Sequence, residues 1–100
     1  MSIQLEDYYP RETFQRMKTF ADEQETPFVV IDTATVAAAY DSLGKGMPFA
    51  KIYYAVKANP AVEIINLLKD KGSNFDIASI YELDRVMGQG VAPERISYGN

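Results

Sequence analysis

Apolar residues fall into four short runs separated by helical stripes. Phe28-Val29-Val30-Ile31 follows the Thr26-Pro27 break and reads as a buried-type strand. Ile52-Tyr53-Tyr54-Ala55-Val56-Lys57-Ala58 reads as a second strand, stopped by Asn59-Pro60. Period-2 alternation sets Tyr53, Ala55 and Lys57 on one face, with Ile52, Tyr54 and Val56 on the other. Asn74 to Ser79 is a third strand, with Asp76 and Ala78 on one face and Phe75 and Ile77 on the other. Ile96-Ser97-Tyr98 begins a fourth.

Helical spacing fills the intervals. Residues 11–21 carry Phe14, Met17, Phe20 and Ala21 near one face. Val36, Ala39, Tyr40 and Leu43 repeat after the helix-start pair Asp32-Thr33, and Gly44 is expected to end that helix. Ala61, Ile64, Ile65 and Leu68 form the stripe of a helix over 60–71. Asn59 is its expected cap, Pro60 its first turn and Gly72 its stop. Ser79 and Glu82 have the spacing of a capping box before Ile80, Leu83, Val86 and Met87, and Gly88-Gln89-Gly90 closes that helix. Gly44-Lys45-Gly46 lacks the upstream glycine and the following Ser/Thr of a phosphate loop, so it reads as a stop and turn.

The order strand-helix-strand-helix-strand-helix-strand, with short connections, predicts an α/β fold with a parallel sheet and right-handed crossovers. The expectation is the N-terminal part of a parallel (β/α)8 barrel, incomplete in this chain, because a full barrel takes about 250 residues. Residues 1–26 then form an N-terminal helical segment, and residues 27–100 the first strand-helix units. The alternative is an open doubly wound sheet, whose first strand-helix turn is usually glycine-rich; Asp32-Thr33-Ala34 is not.

Composition narrows the function. The 100 residues are 47% hydrophobic and 24% charged, as in a globular protein. A net charge of -4 without a basic cluster argues against a nucleic-acid partner. Without cysteine or histidine, this stretch has no disulfide or thiol chemistry and lacks the commonest metal ligand, so no metal site is expected. The acidic, tyrosine-bearing start is not a signal peptide, and no apolar run approaches a membrane span. A cytoplasmic location without membrane association is expected.

The candidate chemistry lies at the strand ends. A lysine at the end of a buried strand, above a small Ala55, needs an opening to solvent, a carboxylate or a covalent partner. Lys57 and Asp76 fall on consecutive strands in the inward-facing set. Two readings stand: a structural ion pair at a barrel mouth, or a lysine nucleophile oriented by a carboxylate.

Tyr53-Tyr54-Ala55-Val56-Lys57-Ala58-Asn59-Pro60 resembles the pyridoxal-phosphate lysine motif of the ornithine/diaminopimelate/arginine decarboxylase family, which has an alanine-racemase-like barrel. Phe75-Asp76-Ile77-Ala78-Ser79 with Glu82 resembles a second family segment. Ile96-Ser97-Tyr98-Gly99-Asn100 is similar to the bacterial ornithine or lysine/ornithine branch. The resemblance covers about Thr26 to Asn100. It implies that Lys57 forms the Schiff base with pyridoxal 5'-phosphate and that Ala55 and Asp76 line the cofactor site, with Lys57 and Asp76 catalytic. It further implies a basic amino-acid substrate, ornithine giving putrescine or lysine giving cadaverine, a β-rich C-terminal domain and a homodimer with active sites at the subunit interface. Glu82 has two readings, a member of the site or a capping-box residue; the capping box explains it without catalysis and is the favoured one. Alternatives on the same scaffold are a diaminopimelate decarboxylase, an amino-acid racemase, or an inactive homologue that works by binding a partner. The phosphate-binding loop, the pyridine-nitrogen partner and the groups reading the distal amine have no counterpart in residues 1–100, so this stretch alone is expected to be inactive.

Overall fold

The computed structural model describes residues 4 and 7–99. Asn100, the last residue of the Ile96–Asn100 motif, and residues 1–3, 5 and 6 of the acidic start lie outside the described residues. Contacts divide the chain into two units, Met1–Asp32 and Thr33–Asn100.

The first unit holds α1 (Arg11–Asp22). Phe14, Met17 and Ala21 are half-buried as the stripe predicts, whereas Phe20 is exposed. Residues 28–31 differ from expectation. They form no strand, and Val29 is 82% exposed. A parallel strand exists only by virtue of a neighbouring ladder, and this run has none. Within the unit Val29, Val30 and Ile31 line a largely apolar hollow of about 290 Å³ with Met17 and Phe20.

The second unit contains, in order, α2 (Thr33–Gly46), β1 (Tyr53–Ala55), α3 (Val62–Asp70), β2 (Asn74–Ile77), α4 (Ile80–Gly88) and β3 (Ile96–Tyr98). The strands are parallel, in the order β1-β2-β3. Sequential order with right-handed crossovers places every helix on one face. The core confirms this: Val56, Phe75 and Ile77 are buried with Ile64, Ile65, Leu68, Val86 and Val91, and Val36, Tyr40, Tyr54, Leu83 and Ile96 pack around them. A doubly wound sheet covers both faces and reverses its strand order; this sheet does neither and has the construction of a barrel wall.

Three element ends differ from the sequence expectation. The α2 helix runs through Gly44 to Gly46, so Gly44-Lys45-Gly46 is its last turn. Glycine lowers helix stability without forbidding the conformation. At α3 the N-cap is Ala61, two residues later than expected. Asn59 instead makes a local turn, its Oδ1 accepting from Ala61 N at 3.0 Å. The lysine strand is the third case. It ends at Ala55, and Val56–Ala58 is a turn of 3-10 helix closed by Asn59 N donating to Val56 O at 3.1 Å.

The α3 C-terminus is a Schellman motif. Gly72 has φ +91, its N donates to Lys69 O, and Ser73 N donates to Leu68 O at 2.9 Å. Arg95 adds a clamp: Nη2 donates to Lys69 O at 3.0 Å and to Ser73 O at 2.6 Å, and Nε donates to Ser73 O at 3.2 Å. A guanidinium fork suits carbonyls gathered at the negative end of a helix.

Candidate active site

The helices leave the other face of the sheet open. Residue by residue, the pleat sends Tyr53 and Ala55, Asn74 and Asp76, and Ser97 onto that face. Register makes a row of three: Ala55 lies opposite Asp76, and Asp76 opposite Ser97. Burial follows the same alternation on β2, with Phe75 and Ile77 buried, Asn74 and Asp76 half-buried. Tyr53 is 45% exposed, so β1 is a half-open strand and not the buried one its composition suggested.

Lys57 sits immediately beyond this row, in the 3-10 turn after β1, and is exposed. The two-residue period does not extend through such a turn, so the expected alignment of Lys57 with Ala55 and Tyr53 by pleat does not hold. The turn itself is well anchored. Val56 is fully buried beneath it. Tyr54 packs edge-on against Phe75 and donates its hydroxyl to Asn59 O at 2.9 Å, tying the end of the turn back to the strand. Burial pushes the Tyr54 phenol above its ordinary value. The turn holds the Lys57 side chain at the C-terminal end of β1, where it is open to solvent.

Lys57 and Asp76 form no ion pair. Asp76 is half-buried on the open face, and its carboxylate leans toward β3, occupying the space where a Cβ on Gly99 would stand. Ala55 and Asp76 are therefore brought side by side, and Lys57 is placed at the strand end without a direct contact to the carboxylate.

Glu82 is only partly explained by its cap. Ser79 is the N-cap, its Oγ accepting from Glu82 N at 3.3 Å and donating to Glu82 Oε2 at 3.0 Å. Glu82 Oε1 is buried without a hydrogen-bond partner. Capping thus accounts for one carboxylate oxygen and leaves the other unmatched, a costly state for a buried acceptor. Ser97 was missed in the sequence, although the alternation with Ile96 already put it on the Asp76 face. The apposition of Gly99 and Asp76 was also missed, because pattern alone gives no distance between neighbouring strand ends.

Among the described residues no group of three or more His, Cys, Asp or Glu is placed to hold a metal ion. No helix among them is long and apolar enough to cross a membrane. An apolar hollow of about 400 Å³ is lined by Val36, Tyr40, Leu43, Ile52, Tyr54 and Leu68, on the helix side of the sheet and away from the open row.

The residues present fit pyridoxal phosphate in kind: a primary amine at the end of β1, a small side chain at Ala55, and the Asp76 carboxylate opposite it. A family model described as "Pyridoxal-dependent decarboxylase, pyridoxal binding domain" matches residues 33–100. Ornithine decarboxylase of Saccharomyces cerevisiae is 39% identical over 77 residues, which are 77% of this chain and 16% of the yeast protein. A crystal structure of lysine decarboxylase from Selenomonas ruminantium superposes with a TM-score of 0.79 at 37% identity, covering 86% of this chain and 23% of that one. A complex of SrLDC with PLP and cadaverine superposes at 0.76 and 36% identity, over 82% of this chain and 22% of that one. The chain thus spans less than a quarter of these relatives, and within that span fold and sequence agree: it belongs to the pyridoxal-dependent decarboxylase family, as the N-terminal part of the pyridoxal-binding barrel.

Proposed function

We propose that this chain supplies the cofactor-anchoring lysine and a site carboxylate of a decarboxylase acting on a basic amino acid, ornithine or lysine. The observation that carries the reading is the placement of Lys57, exposed and fixed at the C-terminal end of a parallel strand, next to the open row Ala55–Asp76–Ser97. In a parallel barrel that end is where chemistry sits.

When bound, pyridoxal phosphate supplies the electron sink for the pair left on the α-carbon as carbon dioxide departs. Lys57 would hold the cofactor through its amine, which must be neutral to act as a nucleophile. The turn between Ala55 and Asn59 keeps that amine at the strand end. Ala55 leaves room above the sheet for a flat ring. Asp76 presents a carboxylate that accepts hydrogen bonds from ammonium or hydroxyl groups at the site and holds them in orientation. Residues 27–100 are read as the first strand-helix units of the barrel. A homodimer accompanies the proposal, supported by the family resemblance.

The substrate assignment rests on the names of the relatives, ornithine decarboxylase and a lysine decarboxylase bound to cadaverine, the amine that lysine yields. Product analysis of the whole protein with ornithine, lysine and diaminopimelate tests it. The expected products are carbon dioxide with putrescine or cadaverine. Turnover of diaminopimelate alone, or racemisation without carbon dioxide, would overturn it.

A further inference from the structure

Six glycines occur in the chain, and five of them would meet nothing within 4 Å if given a Cβ. Gly99 is the exception. A Cβ there would overlap Asp76 Oδ1 and stand 2.6 Å from Oδ2 and 2.7 Å from Cγ. Its φ is not positive, so conformational freedom does not explain the glycine. What the position uses is the missing side chain.

Geometry explains why the two residues meet. Gly99 follows β3 and is two residues on from Ser97, so its side-chain direction falls on the face that carries Ser97 and Asp76. Gly99 N donates to Ile77 O at 2.9 Å, which pins it beside the end of β2. The Asp76 carboxylate fills the resulting space, on the β3 side of its own strand and away from β1.

We propose that Gly99 is a positioning residue for Asp76: by lacking a side chain it gives the carboxylate a resting place over the end of β3, and so keeps it apart from Lys57. A methyl group at position 99 closes that place. The far end of an aspartate moves easily, and its other staggered positions point away from β3. The carboxylate then turns toward β1 and the lysine turn. A carboxylate near an ammonium favours the protonated amine and slows its reaction as a nucleophile. The inference rests on the reading above for its functional meaning, but its structural content stands apart from turnover.

The test is labelling of Lys57 by an amine-reactive reagent in the whole protein without cofactor, followed across pH by mass spectrometry of the Lys57 peptide. Gly99→Ala should slow labelling at neutral pH by about threefold or more and move the profile to higher pH, by the charge effect just described. The change should disappear in Gly99→Ala with Asp76→Asn, because no carboxylate remains to move. Ser97→Ala, which fills no space, should label as the unchanged protein does. An unaltered profile in Gly99→Ala, a shift that survives Asp76→Asn, or the same shift in Ser97→Ala would each overturn the inference. Turnover of Asp76→Asn is a separate measurement: if it stays normal, the catalytic reading of Asp76 fails while the positioning result is still decided by labelling.

Discussion

Asp76 is the residue at which site and scaffold separate. As partner of a buried Lys57 its loss would strand a cation, at a cost of about 3–5 kcal/mol. Lys57 is exposed and the two are unpaired, so that penalty does not arise. Asp76→Asn keeps the shape and should change denaturant stability by less than about 1 kcal/mol. Turnover at saturating cofactor should fall at least about tenfold, or about 1.4 kcal/mol of transition-state stabilisation. Normal turnover would remove Asp76 from the chemistry. Tyr54 carries a second expectation at this scale. Its phenol is raised in the folded state by burial, so the proton is held more tightly folded than unfolded. Stability from this group is complete below the unfolded value, about 10, and is lost as pH rises through the higher folded value. Tyr54→Phe removes the bond to Asn59 O, costing about 1 kcal/mol at neutral pH. Melting curves from pH 8 to pH 11 should show wild type and variant converging above about pH 10; a constant gap would mean that the hydroxyl does not couple to folding.

Among the elements, the C-terminal end of α3 is the best-braced junction in the second unit. Arg95 crosses from the turn before β3 to the carbonyls of Lys69 and Ser73. Arg95→Met keeps much of the stem and removes the charged donors, and should destabilise by about 2 kcal/mol, within the range for hydrogen bonds to charged groups. Urea unfolding measures it, and a loss below about 0.5 kcal/mol would show that water replaces the clamp. Helices were legible in the sequence because their stripes are long: α1, α3 and α4 lie within two residues of the expected bounds, and Gly72 and Gly90 adopt the positive φ of helix stops. Strands were legible only where a ladder forms. Phe75 and Ile77 face the core as alternation requires, but Phe28–Ile31 has strand composition without a ladder, and the lysine strand gives way to a 3-10 turn three residues early. Composition reports which residues suit a sheet; pairing and turn closure decide where one exists. The Tyr54–Asn59 bond that helps close this turn spans five residues and left no mark in the pattern.

At the scale of the second unit as a whole, the order β1-β2-β3 puts that unit's helices on one face of the sheet, and the charged and small residues gather at one end of the other face. That polarity follows from chain order alone, since right-handed parallel crossovers bring every strand's C-terminal end to the same side. The motif residues Ala55 and Asp76 were therefore placeable together from sequence, whereas the exposure of Lys57 and the lean of the Asp76 carboxylate toward Gly99 required coordinates. Lys57 is the proposed anchor of pyridoxal phosphate. The whole protein incubated with pyridoxal phosphate, reduced with borohydride and digested should carry the pyridoxyl adduct on the peptide containing Lys57, and Lys57→Ala should abolish it. An adduct confined to Lys51 or Lys69, or one undiminished in Lys57→Ala, would contradict the claim.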